Sequence, residues 1–188
     1  MQHERVTPPK VVFSLSGLAA RAQLGDREAL DELLRALEPP LLDHVRTIVS
    51  DQDLADDVLQ EALLRISRAL GSLREPEWVR AWAYRITTRE AIRAARAERN
   101  PKREAVDDID DFPAPEGDVS VGEEGVLDEL RARVAELPRR AQLVLRMRYL
   151  QELSQQEIAE ALEIPVGTVK SQVAYGLAAL RRMMDRGT

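Results

Sequence analysis

The 188-residue chain contains no cysteine, so disulfide frameworks, thiolate zinc sites and cysteine nucleophiles are all excluded. That absence fits a reducing cytoplasm. Aromatic residues make up only 4% of the sequence although hydrophobic residues reach 44%, a balance that favours small aliphatic cores between helices. No apolar run approaches the roughly 18 residues that cross a bilayer, and the first residues lack the apolar stretch of a signal peptide. A soluble, cytoplasmic protein with no direct membrane insertion is expected. Histidine is limited to His3 and His44, and neither a GxxxxGK loop nor an HExxH pair occurs. Lacking these, and any set of residues that would activate a serine or an acid, the chain is expected to be neither an enzyme nor a holder of metal, cofactor or small-molecule substrate. His44, between Asp43 and Val45 on a helix, reads as a surface or hydrogen-bonded histidine rather than a base.

Charge is abundant but unevenly placed. With 27 basic residues against 33 acidic ones the net charge is -6, which taken in bulk argues against a polyanion as partner. Residues 104–129, however, hold eleven acids and no Lys or Arg, and outside them 27 bases face 22 acids. The rest of the chain is therefore basic.

Apolar periodicity divides the sequence into two helical parts. After a loose tail at 1–13, Leu18, Leu24, Ala29, Leu30, Leu33, Leu34 and Leu37 form one stripe. Pro39 and Pro40 are expected to break it before Leu41, Leu42, Val45, Ile48 and Val49 resume it. Asp53 reads as the cap of a helix to Leu70 stopped by Gly71, and "GSLREPE" (71–77) as a loop before a helix over 78–99. Residues 101–125 combine prolines, glycines and acids with too little apolar surface to offset chain entropy, and read as a flexible linker. Helices are then expected over 126–137, 141–149, 154–162 and 165–184. The fold class expected is all-α: two small helical domains, at 14–100 and 126–188, joined by the acidic linker at 101–125.

The second domain carries a recognisable pattern. Ser154 and Glu157 form a capping box, Ile158 and Leu162 point inward, "EIP" makes a tight turn, and Val169 and Val173 set the next helix against the first. This is the spacing of a helix-turn-helix, whose second helix enters the major groove of DNA. Thr168 and Ser171 can donate to phosphate and Lys170 supplies charge. Yet Gln172, Ala174, Tyr175 and Gly176 occupy the middle of the outward face, where arginines would be expected. In the first domain Arg85, Arg89, Arg93 and Arg96 recur at helical spacing and line one face, able to follow a phosphate backbone. Trp78, Trp82 and Tyr84 are candidate stacking platforms, with Trp82 the more natural core residue because it shares a face with Val79 and Ile86.

"LPRRAQLVLRMRYLQELSQQEIAEALEIPVGTVKSQVAYGLAALRR" resembles the fourth conserved region of sigma-70-type transcription initiation factors. "GDREALDELL", "DLADDVLQEALLRISRAL" and "RAWAYRITTREAIR" resemble their second region, in the order found in the short, extracytoplasmic-function (ECF) class. The resemblance implies a factor that binds core RNA polymerase, recognises minus-10 and minus-35 promoter elements and assists melting. It implies contact with the beta-prime clamp helices through Asp57, Gln60, Glu61 and Leu64, and a second polymerase contact at the beta flap. It places the minus-10 element at Trp78, Arg85, Arg89, Arg93 and Arg96, beside a base pocket in 71–77. Minus-35 contacts would come from Thr168, Lys170, Ser171, Gln172 and Tyr175, with Arg146, Arg148 and Arg181 on phosphates. An anti-sigma factor is a further implied partner, and the acidic linker would follow the polymerase's RNA exit path. The competing reading is a stand-alone helix-turn-helix regulator, which would need only the second domain.

Overall fold

A computed structural model describes residues 14–99 and 133–185. The expected tail at 1–13, the linker at 101–125 and most of the expected helix over 126–137 lie outside the described residues. Described secondary structure is helical: α1 (Leu15–Gln23), α2 (Arg27–Arg46), α3 (Gln52–Ala69), α4 (Val79–Arg99), α5 (Arg139–Tyr149), α6 (Gln155–Leu162) and α7 (Val166–Asp185).

Short polar side chains start most of these helices by accepting an amide that the first turn leaves unpaired. Ser14 accepts from Gly17 at 3.1 Å, Asp26 from Ala29 at 3.0 Å and Asp51 from Leu54 at 2.7 Å. The cap of α3 is therefore Asp51, two residues before the expected Asp53, which instead lies in the first turn. Gly25, at φ +93°, makes the turn between α1 and α2. Leu24, expected in the apolar stripe, is 89% exposed because it caps the end of α1, just past its last residue and beside that turn.

Pro39 and Pro40 do not interrupt α2, which runs unbroken from Arg27 to Arg46. Two prolines remove two N–H donors, and the carbonyls that lose them belong to Arg35 and Ala36 on the exposed side, where water can replace the bond. On the opposite side Leu33, Leu37 and Leu41 recur every four residues and are fully buried. Burying such a leucine row contributes about 1.5–3 kcal/mol per side chain, enough to hold the helix together across the prolines.

In the N-terminal unit α2, α3 and α4 pack mutually, α1 lies on α2, and Ile48, Ala62, Ile66, Val79 and Ala83 complete the core. The amide of Gln23 on α1 donates to the carbonyls of Leu70 and Leu73 at 2.9 and 2.6 Å. It thereby pins the connection between α3 and α4, which contains two 3-10 turns, Leu70–Ser72 and Pro76–Trp78. Gly71 falls inside the first of these turns, so α3 ends by tightening rather than by a glycine stop.

In the C-terminal unit α5, α6 and α7 enclose Val144, Met147, Leu153, Ile158, Leu162 and Val169. Buried Gln142 donates to the carbonyls of Ala135 and Leu137 at 2.9 and 2.7 Å, satisfying the end of the preceding helical turn. Gly176 belongs to this core rather than to the outward face of α7: a Cβ there would lie 2.7 Å from Leu145 Cδ1. The missing side chain lets α7 close on α5.

Candidate nucleic-acid interface

On α3, Asp57, Gln60 and Leu64 are exposed and Glu61 is half-buried. Spaced at three, four and seven residues, they share one side of the helix, opposite the buried Val58, Leu59, Ala62 and Ile66. Leu64 leaves 49% of its surface open among these polar groups, an apolar centre with an acidic and amide rim. Glu61 accepts from Arg65 Nε at 2.8 Å, and the guanidinium holds its carboxyl below the usual carboxylate range.

Arg65 leads from this face to α4. Its Nη1 lies 2.8 Å from Glu90, a carboxylate almost wholly buried that also binds Arg93. Glu61, Arg65, Glu90 and Arg93 thus form a continuous charge chain between the outer face of α3 and the arginine row. Sequence reasoning passed over Arg65 and Glu90, although the Glu61–Arg65 and Glu90–Arg93 spacings were visible signals. A groove of about 390 Å³ beside this chain is lined by Arg65, Arg68, Ala69, Ile86, Arg89 and Glu90.

The arginine row is brought together on α4, with Arg89 and Arg93 exposed and Arg85 and Arg96 half-buried. Trp78 is half-buried in the 3-10 turn at the foot of α4, next to the 71–77 connection. Trp82 is in the core at 7% exposure, as its helical face implied. Tyr84 is buried as well: its ring meets the His44 ring edge-on at 5.1 Å, so it offers no platform to a base. Burial pushes its hydroxyl up to about 12.

The helix-turn-helix consists of α6 and α7. Ser154 Oγ accepts from Glu157 N at 3.1 Å while Glu157 accepts from Ser154 N at 2.8 Å, completing the capping box. Glu163 closes α6 in the left-handed conformation, at φ +53°. At the outer start of α7, Lys170, Ser171 and Tyr175 are exposed, Thr168 and Gln172 half-buried, and Ser171 Oγ donates to the Thr168 carbonyl at 2.8 Å. Arg181 is exposed near the far end of α7 and Arg146 half-buried on α5. Arg148 donates to Leu153 O at 3.0 Å, so part of its guanidinium organises the loop before α6.

The two units meet where α6 packs on α4. Arg85 pairs with Glu160 at 3.2 Å and approaches Glu163 at 3.8 Å, and Arg89 pairs with Glu163. Arg80 donates to the Gln151 carbonyl. His44 is completely buried in this contact. Thr88 Oγ1 donates to Tyr84 O at 2.7 Å and so accepts from His44 Nε2 at 2.8 Å. That leaves Nδ1 as the acceptor for the Gln151 amide at 3.2 Å. His44 is therefore neutral and satisfied at both nitrogens, and burial pushes its pKa down to about 4.

Among the described residues no group of three or more His, Cys, Asp or Glu could hold a metal ion, and no helix is long and apolar enough to cross a membrane. The model of sigma-70 region 2 matches residues 33–100, and that of sigma-70 region 4 matches residues 127–180. The RNA polymerase sigma-H factor of Pseudomonas aeruginosa is 32% identical over 178 residues, covering 89% of this chain and 92% of that protein. The ECF RNA polymerase sigma-E factor of Escherichia coli K12 is also 32% identical, over 83% of this chain and 86% of its own length. Among solved structures, CnrH in complex with the cytosolic domain of CnrY aligns with a TM-score of 0.65 at 21% identity, over 92% of this chain and 98% of that one. The sigma factor RpoE with the anti-sigma factor NepR from Bartonella quintana gives 0.64 at 18% identity, over 82% and 96%. An all-helical pair of units, the two region matches in sequence order and a 32% identical relative matched over nearly its whole length place this chain in the sigma-70 family, in its ECF group.

Proposed function

We propose that this chain is a transcription initiation factor that docks on core RNA polymerase through Asp57, Gln60, Glu61 and Leu64. It holds the minus-10 element along Trp78, Arg85, Arg89, Arg93 and Arg96, and reads the minus-35 element with the start of α7. The observation that carries this reading is the pairing, in one packed unit, of the leucine-centred acidic face of α3 with the arginine row of α4. The first suits a basic amphipathic helix such as a clamp helix, and the second suits a phosphate backbone. A regulator acting without polymerase would need neither, and the region 2 match disfavours that alternative.

At the promoter, the arginine row supplies charge along one strand while the 71–77 connection and Trp78 receive an unstacked base, offsetting a melting cost of a few kcal/mol. In the C-terminal unit, Lys170 and Arg181 on α7 and Arg146 on α5 set position on phosphates, and Thr168, Ser171, Gln172 and Tyr175 face base edges. The chemistry is binding and strand separation; the factor itself makes and breaks no covalent bond. We read 14–100 and 126–188 as the two working domains and 101–125 as the acidic connector between them. The beta flap is the polymerase partner of the second domain. Structural neighbours solved with CnrY and with the anti-sigma factor NepR support an anti-sigma protein as a further partner, and the factor works in the cytoplasm.

Gln60→Ala/Glu61→Ala tests the docking face. Core polymerase affinity is expected to fall about 10-fold or more, since each lost charge-assisted contact is worth about 1.5–3 kcal/mol. Helical content by circular dichroism should stay unchanged. Unchanged affinity, or loss of helix, would count against the assignment.

A further inference from the structure

We infer that Gln23, at the end of α1, is a positioning residue for base capture: its side-chain amide holds the 71–77 connection in the shape that receives an unstacked base of the minus-10 strand. The inference rests on the reading of that connection as the base pocket. α1 carries none of the residues assigned to DNA or polymerase.

Both N–H groups of the Gln23 amide are engaged, on Leu70 O at 2.9 Å and on Leu73 O at 2.6 Å, across 47 and 50 residues of sequence. The two carbonyls bracket Gly71 and Ser72, which are exposed. An apolar or carboxylate side chain of the same length cannot make this bridge, because it requires two donors on one nitrogen. The Leu70 carbonyl also accepts from Leu73 N at 3.1 Å, closing the first 3-10 turn. Gln23 therefore fastens a turn that already exists and fixes where it sits.

The connection needs such a brace. Leu73 is its buried foot, while Arg74, Glu75 and Glu77 are exposed, and the backbone that leaves one 3-10 turn at Ser72 enters the next only at Pro76. Short 3-10 turns alone hold such a stretch weakly. α1 packs against both turns and against α4, so it backs the connection together with the turn that carries Trp78. The end of α1 is itself clamped. Arg21 reaches Asp26 through Nε at 2.9 Å and Nη2 at 2.6 Å, and Asp26 caps α2 by accepting from Ala29 N. A pocket kept in its receiving shape before the base arrives loses less loop entropy on capture. Gln23 supplies that preorganisation without touching DNA.

Gln23→Met and Gln23→Glu test this in the holoenzyme. Each keeps the length of the side chain and removes both donors, and Ser14→Ala, which removes the cap at the other end of α1, controls for a general weakening of that helix. The probe is a premelted fork from a promoter the holoenzyme uses, with the non-template strand intact or abasic at each minus-10 position in turn. In the parent, loss of one base is expected to lower affinity about 10-fold, as its stacking and pocket contacts disappear. In both Gln23 variants that ratio should fall to within about 2-fold of unity, through about 5-fold weaker binding of the intact strand. Affinity for the abasic fork and for core enzyme should stay at the parent value, and Ser14→Ala should keep the parent ratio. A packing defect would weaken intact and abasic forks alike and leave the ratio unchanged. A ratio preserved in a folded Gln23 variant, or lost equally in Ser14→Ala, overturns the inference, as does loss of helical content in both Gln23 variants. A parent holoenzyme that discriminates at no position strikes the pocket reading, and the inference with it.

Discussion

Replacing Arg85, Arg89 and Arg93 together by alanine is expected to reduce promoter opening by the holoenzyme at least about 100-fold, because three charge-assisted contacts of about 1.5–3 kcal/mol each are removed. The loss should be electrostatic in character. For a single strand, the salt dependence of log K has a slope near −0.7 per neutralised phosphate, so removing three cations should flatten it by about 2. Filter binding of a premelted promoter fork across a salt series measures both quantities. The helix should survive the substitution. Its core contacts come from Val79, Ala83, Ala91 and Ala95, and alanine is a strong helix former. Glu90 would keep Arg65 as its partner at 2.8 Å. A fall in affinity with no change in salt slope would mean that these arginines act through packing rather than on phosphates.

Lowering the pH from neutrality to 4 should cost the folded protein about 3 kcal/mol through His44 alone, the equivalent of moving its pKa from 6.5 to about 4 on burial. The folded pKa lies below the unfolded one. His44 therefore contributes its full stability above about pH 6.5 and loses it as the pH falls towards 4. The groups facing it from other elements are Thr88 and Tyr84 on α4 and Gln151 from the loop before α6, with Arg80 on the Gln151 carbonyl. Tyr84 stays neutral throughout this range. The carboxylates held low, Asp26 by the Ala29 amide and Glu61 by Arg65, lose their contribution as the pH falls through the ordinary carboxylate range towards their lowered folded values. The imidazole loss therefore begins first, above the carboxylate range. Proton NMR resolves it directly, because His3 is the only other histidine. The His44 ring signal should titrate near 4 in the folded chain. His44→Gln should flatten the stability profile in the same window. An imidazole titrating at 6.5 in the parent chain would show that Gln151 does not cover it.

Much of this architecture is legible in the sequence where the signal is local. The capping box at Ser154 and Glu157, the inward Ile158, Leu162, Val169 and Val173, and the arginine repeat on α4 all depend on residues within one or two helical turns. Helical spacing alone also suffices to put Trp82 in the core. What escapes is tertiary. Pro39 and Pro40 look like a break until Leu33, Leu37 and Leu41 are seen buried together beneath them. Asp51 and Asp53 are equally good caps on paper, and only the backbone decides between them. Gly176 reads as surface because its neighbour, Leu145, is a full helix away in sequence. His44 meets Gln151 across 107 residues, a separation no periodicity encodes. The same holds for the meeting of Arg85 with Glu160 and Glu163, where two sets of charges that each look solvated turn out to face one another.

The thin basic character of α7 bears on how affinity is divided. Lys170 is the sole cation in its first two turns, while Tyr175 and Ser171 are exposed beside it. A good part of the promoter affinity is then expected to come from polymerase and from α4, and the isolated C-terminal unit is expected to bind DNA weakly with a shallow salt dependence. The account as a whole stands on one claim, that this chain directs core RNA polymerase to promoters. The direct test is reconstituted transcription from a randomised promoter library with core enzyme and the purified chain. The account predicts co-purification with core and initiation from a subset of sequences sharing two elements, one upstream and one at the melting site. Failure to bind core, or initiation no greater than core enzyme alone on every sequence, would contradict it.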